Sequence, residues 1–326
     1  MAGLAVAVTG PTGEIGISTV EALERDPAVD RIVGMARRPF DPAAHGWTKT
    51  TYQQGDILDR KAVDALVAEV DVVIHLAFVI MGSREESARI NLAGTRNVFE
   101  ATVAAQRPRR LVYTSSVAAY GYHSDNPVPI TEDVPPRGSP ERCSEQKAAC
   151  EAALAEITRG SSLEVFVLRP CIVAGPKAPA LADTMPWNQL PWAIRAAARA
   201  LPVLKVPFPD PGTPLQLVHH DDVAAAIALA ATTSAPAGAY NIAGDGVISM
   251  SDMVSALGGR PVRVPHAAAT AASAVISRLP FAPAVLEWLH VGRTSVVMDT
   301  SKAKSQLGWK PKYTSAETLQ ALAEAV

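Results

Sequence analysis

The run Thr9-Gly10-Pro11-Thr12-Gly13-Glu14-Ile15-Gly16 follows directly on a short apolar segment, Leu4–Thr9, and opens a helical pattern that reaches Arg25. No other feature constrains the fold as strongly. Three glycines at a strand–turn–helix junction let the backbone reverse tightly, approach a bound anion and pack helix against strand. The helix start then presents N–H groups to a phosphate. The spacing alone is a weak signal; its place at the head of a βαβ pattern makes it a dinucleotide site, held by Gly10, Thr12, Gly13, Glu14, Ile15 and Gly16.

Beyond this turn, apolar runs rich in β-branched residues alternate with longer helical patterns. Strands are expected at Arg31–Ala36, Thr48–Gly55, Val72–Leu76, Arg110–Ser115 and Glu164–Arg169, and again at Gly238–Ala243. Helices are expected over Arg60–Glu69, Arg84–Ala105, Glu141–Thr158 and Asp221–Ala231. Strands apolar on both faces and separated by helices imply a parallel sheet covered on both sides, a doubly wound α/β domain. From Pro176 to Pro214 the texture changes to a proline-dense segment containing Met185, Trp187 and Trp192, with a short helix near 193–200. The α/β pattern then resumes. The expected division is therefore 1–175 with 218–243 as the dinucleotide domain, and 176–217 with 244–326 as a smaller, mostly helical substrate lobe.

Composition narrows the function classes. Thirty Lys and Arg against 32 Asp and Glu give a net charge of −2, so no basic excess exists to neutralise nucleic-acid phosphates. At 48% hydrophobic and 19% charged the chain is not disordered. The longest apolar stretch, Ala267–Leu289, is broken by Arg278, Pro280, Pro283 and Glu287, and no uncharged run reaches the roughly 20 residues of a membrane helix. The first ten residues lack the basic region and cleavage site of a secretory signal. Cys143, Cys150 and Cys171 form no paired framework, as expected of reduced thiols in a cytoplasmic protein.

The end of the second strand selects the dinucleotide. An acid there would bind a ribose 2′-hydroxyl, whereas arginine accommodates a 2′-phosphate. The chain reads Met35-Ala36-Arg37-Arg38, with no acid before Asp41. The expected cofactor is NADP(H) in preference to NAD(H), with Arg37 and Arg38 as the phosphate clamp.

Together with Gly55-Asp56-Ile57, His75-Leu76-Ala77, Asn91–Thr95, Tyr113–Gly121, Leu168–Pro176, Leu217–Ala224 and Asp299–Trp309, these residues make the chain resemble the extended short-chain dehydrogenase/reductase group, the NAD-dependent epimerase/dehydratase family. The likeness spans nearly the whole sequence and is specific for fold and cofactor, less so for substrate. It implies a Rossmann fold. It also implies that Asp56 and Ile57 meet the adenine, Leu76 and Ala77 line the cofactor, and Asn91 anchors a helix bend. Thr114 and Ser116 would border the reacting centre, Lys147 would hold the nicotinamide ribose, and Pro170, Ile172 and Val173 would meet the nicotinamide. Phe78 and Val117 would border the substrate. His219–Asp222 would cap a helix and hold no metal. A homodimer through the helices 84–105 and 141–158 is likewise implied.

One departure stands out. The family pairs a tyrosine with a lysine four residues on, so that both side chains share a helix face and the phenol becomes a general acid–base. Four before Lys147 stands Cys143, and no tyrosine occurs between Tyr122 and Tyr240. Three explanations are open. Cys143 is an engineered or chance loss; or it is native and Ser116, a water, Tyr120, Tyr122 or His123 transfers the proton; or catalysis is gone and binding remains.

The reaction class follows from what surrounds these positions. Val117 and Ala118 stand where dehydratases of the group carry Asp-Glu, and Leu289 stands where epimerases carry a diphosphate-gripping arginine. Met185, Trp187, Leu190, Trp192, Leu201, Val203, Val206 and Phe208 suggest an apolar pocket, although they suit a small-lobe core equally well. The expectation is an oxidoreductase transferring hydride between NADP(H) and the carbonyl or alcohol of a small, largely apolar molecule, with Ser116, Cys143 and Lys147 at the centre. The alternatives are a nucleotide-sugar 4-epimerase and a non-catalytic dinucleotide-binding regulator.

Overall fold

Alternation along the first strand shows how the sheet is built. In β1 (Leu4–Thr9), Val6 and Val8 enter the core on one face while Ala5 and Ala7 enter the core on the other, the two-residue period of an extended chain. The computed structural model describes residues 3–80, 83–189, 191, 205–265 and 294–326. In it, β1 is joined by β2 (Val29–Ala36), β3 (Thr50–Gln54), β4 (Val72–His75), β5 (Arg110–Thr114), β6 (Glu164–Pro170) and β7 (Gly238–Ile242). They form one sheet in the order β7-β6-β5-β4-β1-β2-β3, with every pairing parallel.

Helices cover both faces. On one side α1 (Glu14–Arg25) packs with α5 (His220–Thr232), burying Val20, Leu23, Val223 and Ile227 against the sheet. On the other lie α2 (Arg60–Val67), α3 (Thr95–Ala104) and α4 (Arg142–Ile157), with Leu66, Val98, Phe99 and Leu154 in the core. The strand order reverses between β1 and β4, and a crevice opens at the carboxyl ends of those two strands, the switch point where such sheets bind ligands.

The helix expected over 84–105 is not continuous. A short helix, Arg84–Ala88, passes into a π-helical turn, Arg89–Gly94, before α3 begins. The cause is local. Asn91 accepts from the Val79 N–H at 2.8 Å and donates to the Val79 carbonyl at 2.8 Å, drawing the widened turn onto the segment after β4.

A second core gathers Leu181, Met185, Trp187, Phe208, Leu215, Met253, Leu319 and Leu322. Short strand pairs hold it, Pro207–Asp210 with Arg260–Arg263 and Pro214–Leu215 with Ile248–Ser249. Its helices, Met250–Ala256 and Ser315–Ala325, each start in a capping box, Ser249 with Asp252 and Thr314 with Glu317. Met298, Ala303, Leu307 and Trp309, expected in the substrate lobe, pack with the α1–α5 face of the sheet, and the Trp309 indole N–H donates to the Asp222 carbonyl at 2.9 Å.

Leu190, Trp192, Leu201, Val203, the helix expected near 193–200 and the Ala267–Leu289 stretch lie outside the described residues. Among the described residues no helix is long and apolar enough to cross a membrane.

Candidate functional site

At the end of β1 the chain turns at Gly10, whose φ is +77°. A Cβ there would lie 2.9 Å from the Ala77 amide nitrogen, and one at Gly16 would lie 2.1 Å from the Gly10 carbonyl oxygen. Both positions therefore exclude any side chain: Gly10 lets the turn approach the β4 loop, and Gly16 lets α1 pack on the turn. Gly13 serves differently. It is the residue before α1, and no side chain caps the helix start, so the first N–H groups remain free for an anion.

The Glu14 side chain does not join them. Its carboxylate turns toward the second lobe, where Oε1 accepts from the Ala180 N–H at 2.9 Å, and burial raises its pKa above the ordinary carboxylate value. Ile15 likewise packs against the apolar core. These side chains serve lobe docking and helix packing, while the backbone N–H groups of Glu14 and Ile15 are among those at the uncapped helix start.

The crevice holds about 250 Å³. Gly10, Thr12 and Gly13 form one wall, Met35–Arg38 and Gly55–Ile57 another, and Leu76–Val79 with Ile90 the third. The structure thus brings together most of the expected set: the turn, Arg37, Arg38, Asp56, Ile57, Leu76, Ala77 and Phe78. Met35, Ala36, Gly55, Val79 and Ile90 were not anticipated. Gly55 had a usable signal, as a glycine at a strand end; a Cβ there would meet the Met35 sulfur at 2.7 Å. Arg37 and Arg38 are exposed, and neither guanidinium has an ion-pair partner among the described residues. Asp56 accepts from the Leu58 N–H at 3.0 Å, closing its own turn.

The opposite end of the site is buried. Lys147, on α4, is 5% exposed and donates to the Thr114 carbonyl at 2.8 Å. Its ammonium sits 3.8 Å from the Phe78 ring centroid and 5.1 Å from that of Tyr113, a cation–π arrangement. Burial pushes its pKa down to about 8, partly opposed by Cys150, Cys143 and Glu151. Phe78 also lines the crevice, so one ring joins the cleft to the lysine. The Thr114 hydroxyl is buried with no hydrogen-bond partner among the described residues. Ser116 accepts from the Ala118 N–H at 3.1 Å, capping the short turn Val117–Tyr120. That bond leaves the Ser116 hydroxyl proton available to donate.

Other expected residues fall elsewhere. Val117 is buried in the sheet core. Met185 and Trp187 belong to the second-lobe core, where the Trp187 indole donates to the Leu257 carbonyl; they are packing residues and not walls of the crevice. Pro170, Ile172, Val173 and Asn91 border no part of the described cleft. Asn91 acts instead through the Val79 segment, and its amide also donates to Gln146 at 2.8 Å.

Two of the side chains weighed as substitutes for the missing phenol are already committed. Tyr120 is fully buried, donating to Asn241 Oδ1 at 2.7 Å and accepting from Arg169 at 2.8 Å. His123 Nε2 bonds the Gly138 carbonyl at 2.6 Å. Arg169 in turn pairs with Glu151 at 2.6 Å, and Glu151 accepts from Ser115 at 2.6 Å. This buried network ties α4 to the ends of β5 and β6. Its sequence signal was Glu151, one further helical turn beyond Cys143 and Lys147.

Beneath the crevice, His75 bridges Thr9 at 2.7 Å and Thr95 at 2.9 Å. Burial and the nearby Lys147 push its pKa down to about 3, so it is a neutral brace. His219 caps α5 by accepting from the Asp221 N–H at 3.2 Å. His220 accepts from the Lys177 N–H at 3.2 Å through Nε2 and bonds Ser18 at 2.8 Å through Nδ1. Both of its nitrogens are spent on the fold.

The chain matches the model of the NAD dependent epimerase/dehydratase family over residues 6–243. It is 26% identical over 322 residues to the uncharacterized protein y4nG of Sinorhizobium fredii, covering 96% of this chain and 76% of that one. Among solved structures, the enzyme WbmH of Bordetella bronchiseptica, in complex with NAD+, superposes with a TM-score of 0.71 at 19% identity over 99% and 98% of the two chains. A UDP-glucose 4-epimerase of Thermotoga maritima, with UDP-glucose, gives 0.72 at 19% identity over 99% and 98%. At these identities the structures show the shared fold.

Proposed function

The chain belongs to the NAD dependent epimerase/dehydratase family, and on that footing we propose that it is an NADP(H)-dependent oxidoreductase acting on the carbonyl or alcohol of a small, largely apolar molecule. The observation that carries the cofactor choice is the pair of exposed guanidinium groups, Arg37 and Arg38, in the crevice wall at the end of β2. A 2′-phosphate supplies the charge they lack.

The crevice fits the group. Gly10 and Gly16 admit no Cβ, the start of α1 is uncapped, and a wall of Leu76, Ala77, Phe78 and Val79 follows. In this reading the turn and helix start hold the pyrophosphate. Asp56 and Ile57 flank the adenine, and Lys147 donates to the nicotinamide ribose. When bound, the nicotinamide supplies or accepts the hydride. Ser116 hydrogen-bonds the substrate oxygen through its hydroxyl and positions it, and Phe78 shields Lys147 from solvent. With cysteine at 143, the one proton completing reduction comes from solvent water at the substrate oxygen, with hydroxide left to the bulk, a slower route than a phenol. The substrate lobe, the homodimer through α3 and α4, and a cytoplasmic location belong to the same reading. The outward dimer face would include Arg96, which bridges Glu100 at 2.9 Å and Glu156 at 3.3 Å.

Fluorescence titration of the purified protein with NADPH and NADH tests the cofactor, and equal or tighter NADH binding overturns it. NADPH consumption against a panel of apolar ketones and aldehydes, for the protein and for Cys143→Tyr, tests the reaction. The shared fold with the Thermotoga epimerase favours a second reading, a nucleotide-sugar 4-epimerase. That reading predicts interconversion of a nucleoside-diphosphate sugar with no net consumption of NADPH. Cofactor binding without turnover in either protein would leave a binding role.

A further inference from the structure

The backbone that carries the arginine pair is held from behind. Three consecutive carbonyls, those of Ala36, Arg37 and Arg38, lie at the end of β2, and side chains of the neighbouring strand reach all three. The single proton of the Tyr52 hydroxyl is shared between the Ala36 carbonyl, at 2.8 Å, and the Arg38 carbonyl. Gln54 donates to the Arg37 carbonyl at 2.9 Å. Tyr52 and Gln54 are two apart on β3, opposite Gly34 and Ala36 of β2, and so share a face.

The tyrosine is itself fixed. Its ring meets Phe40 at 5.6 Å, and Phe40 stacks on His45 at 4.9 Å and meets Trp47 at 5.3 Å. Glycine at 34 leaves room for Pro11, which a Cβ there would approach at 3.0 Å, while the Tyr52 ring would lie at an ordinary contact distance of 3.7 Å. Strand pairing accounts for the Ala36 carbonyl, which also accepts from the Gly55 N–H at 3.0 Å, but not for the side-chain bonds to the Arg37 and Arg38 carbonyls. A loop beyond a strand end satisfies its carbonyls with water at little cost. Here the loop is immobilised directly beneath two long, flexible cations. Ordering such side chains and their backbone on binding costs free energy, and a preformed site avoids part of that cost.

We infer that Tyr52 and Gln54 are specificity-determining positioning residues, which fix the Ala36–Arg38 backbone so that Arg37 and Arg38 form a preorganised phosphate clamp. The inference rests on the NADP(H) reading. Discrimination between NADPH and NADH then depends on side chains of β3 that stand behind the arginines.

The test is the ratio of NADPH to NADH dissociation constants in the wild type, Tyr52→Phe and Gln54→Ala, with ligand-free melting temperatures recorded in parallel. Tyr52→Phe keeps the ring packing and removes only the hydroxyl. It is expected to weaken NADPH about 5- to 10-fold and NADH less than about twofold, the scale of lost hydrogen bonds acting through position. Gln54→Ala, at an exposed residue, should shift the ratio the same way by a smaller factor, and it carries the test if Tyr52→Phe does not fold. Equal losses for both cofactors, or no loss, would overturn the inference and leave a structural staple. A wild type without NADPH preference would instead overturn the cofactor reading, whatever the variants do.

Discussion

The two ends of the crevice treat positive charge in opposite ways. Arg37 and Arg38 stand in solvent with no ion-pair partner among the described residues, on a backbone held rigid by β3. Lys147 is buried, with one carbonyl acceptor and two aromatic rings around it. An exposed cation costs little to keep and gains little until an anion arrives, and salt screens that gain. A buried cation costs desolvation in every state and is poised to be deprotonated. In the proposed reading, one end serves recognition at low standing cost, and the other accepts a standing cost for a charge beside the reacting centre.

The sharpest way to break this contrast is Lys147→Met. Turnover of any NADPH-linked substrate should fall about a hundredfold or more, as for loss of a positioned proton-transfer group. The ligand-free melting temperature should hold or rise, because a buried charge is replaced by an apolar chain of similar length. A drop of several degrees in calorimetry would show that Lys147 stabilises the fold and would remove the distinction between the two ends.

Next in size is Arg37→Ala with Arg38→Ala. NADPH affinity should fall about 10- to 100-fold with NADH nearly unchanged, and the difference should shrink in high salt because both groups are exposed. Titrations at two ionic strengths check both statements.

The third prediction concerns pH. Lys147 falls from an ordinary 10.5 to about 8 in the fold. Between those values the unfolded chain binds the extra proton, so stability rises with pH across about 8 to 10.5, and the burial penalty is fully present below 8. Dinucleotide binding moves the other way, weakening as the ammonium is lost above about 8. Chemical denaturation and NADPH titration across this range, each compared with Lys147→Met, should show opposite slopes that both vanish in the variant.

The smallest effect is expected far from both ends. Trp187→Phe removes one buried hydrogen bond to the Leu257 carbonyl and should destabilise by about 1 kcal/mol while leaving NADPH affinity unchanged. A change in affinity would return Trp187 to the binding site.

What could be read from the sequence follows the same contrast. The glycine turn, the alternation of strands and helices and Arg37–Arg38 lie in contiguous segments, where local chemistry decides the outcome. The engagement of Tyr120 by Arg169 and Asn241, the turning of Glu14 toward Ala180 and the placing of Met185 and Trp187 in a core depend on partners 49 to 166 residues away. An apolar residue suits a pocket wall and a core equally well, and only packing separates them. The helix break at Arg89–Gly94 was missed by composition, since Arg84–Ala105 reads as an ordinary helix, and only the family resemblance pointed to a bend at Asn91.

That asparagine has a further consequence. By accepting from and donating to the same residue, Val79, its amide reproduces the double exchange of a hydrogen-bonded pair in an antiparallel ladder. The segment after β4 thus gains a single rung from a side chain where no neighbouring strand is present. Through Gln146 the same amide reaches the helix of Lys147. A shift of that helix would be felt at the rung, and the crevice wall and the lysine would move as one piece.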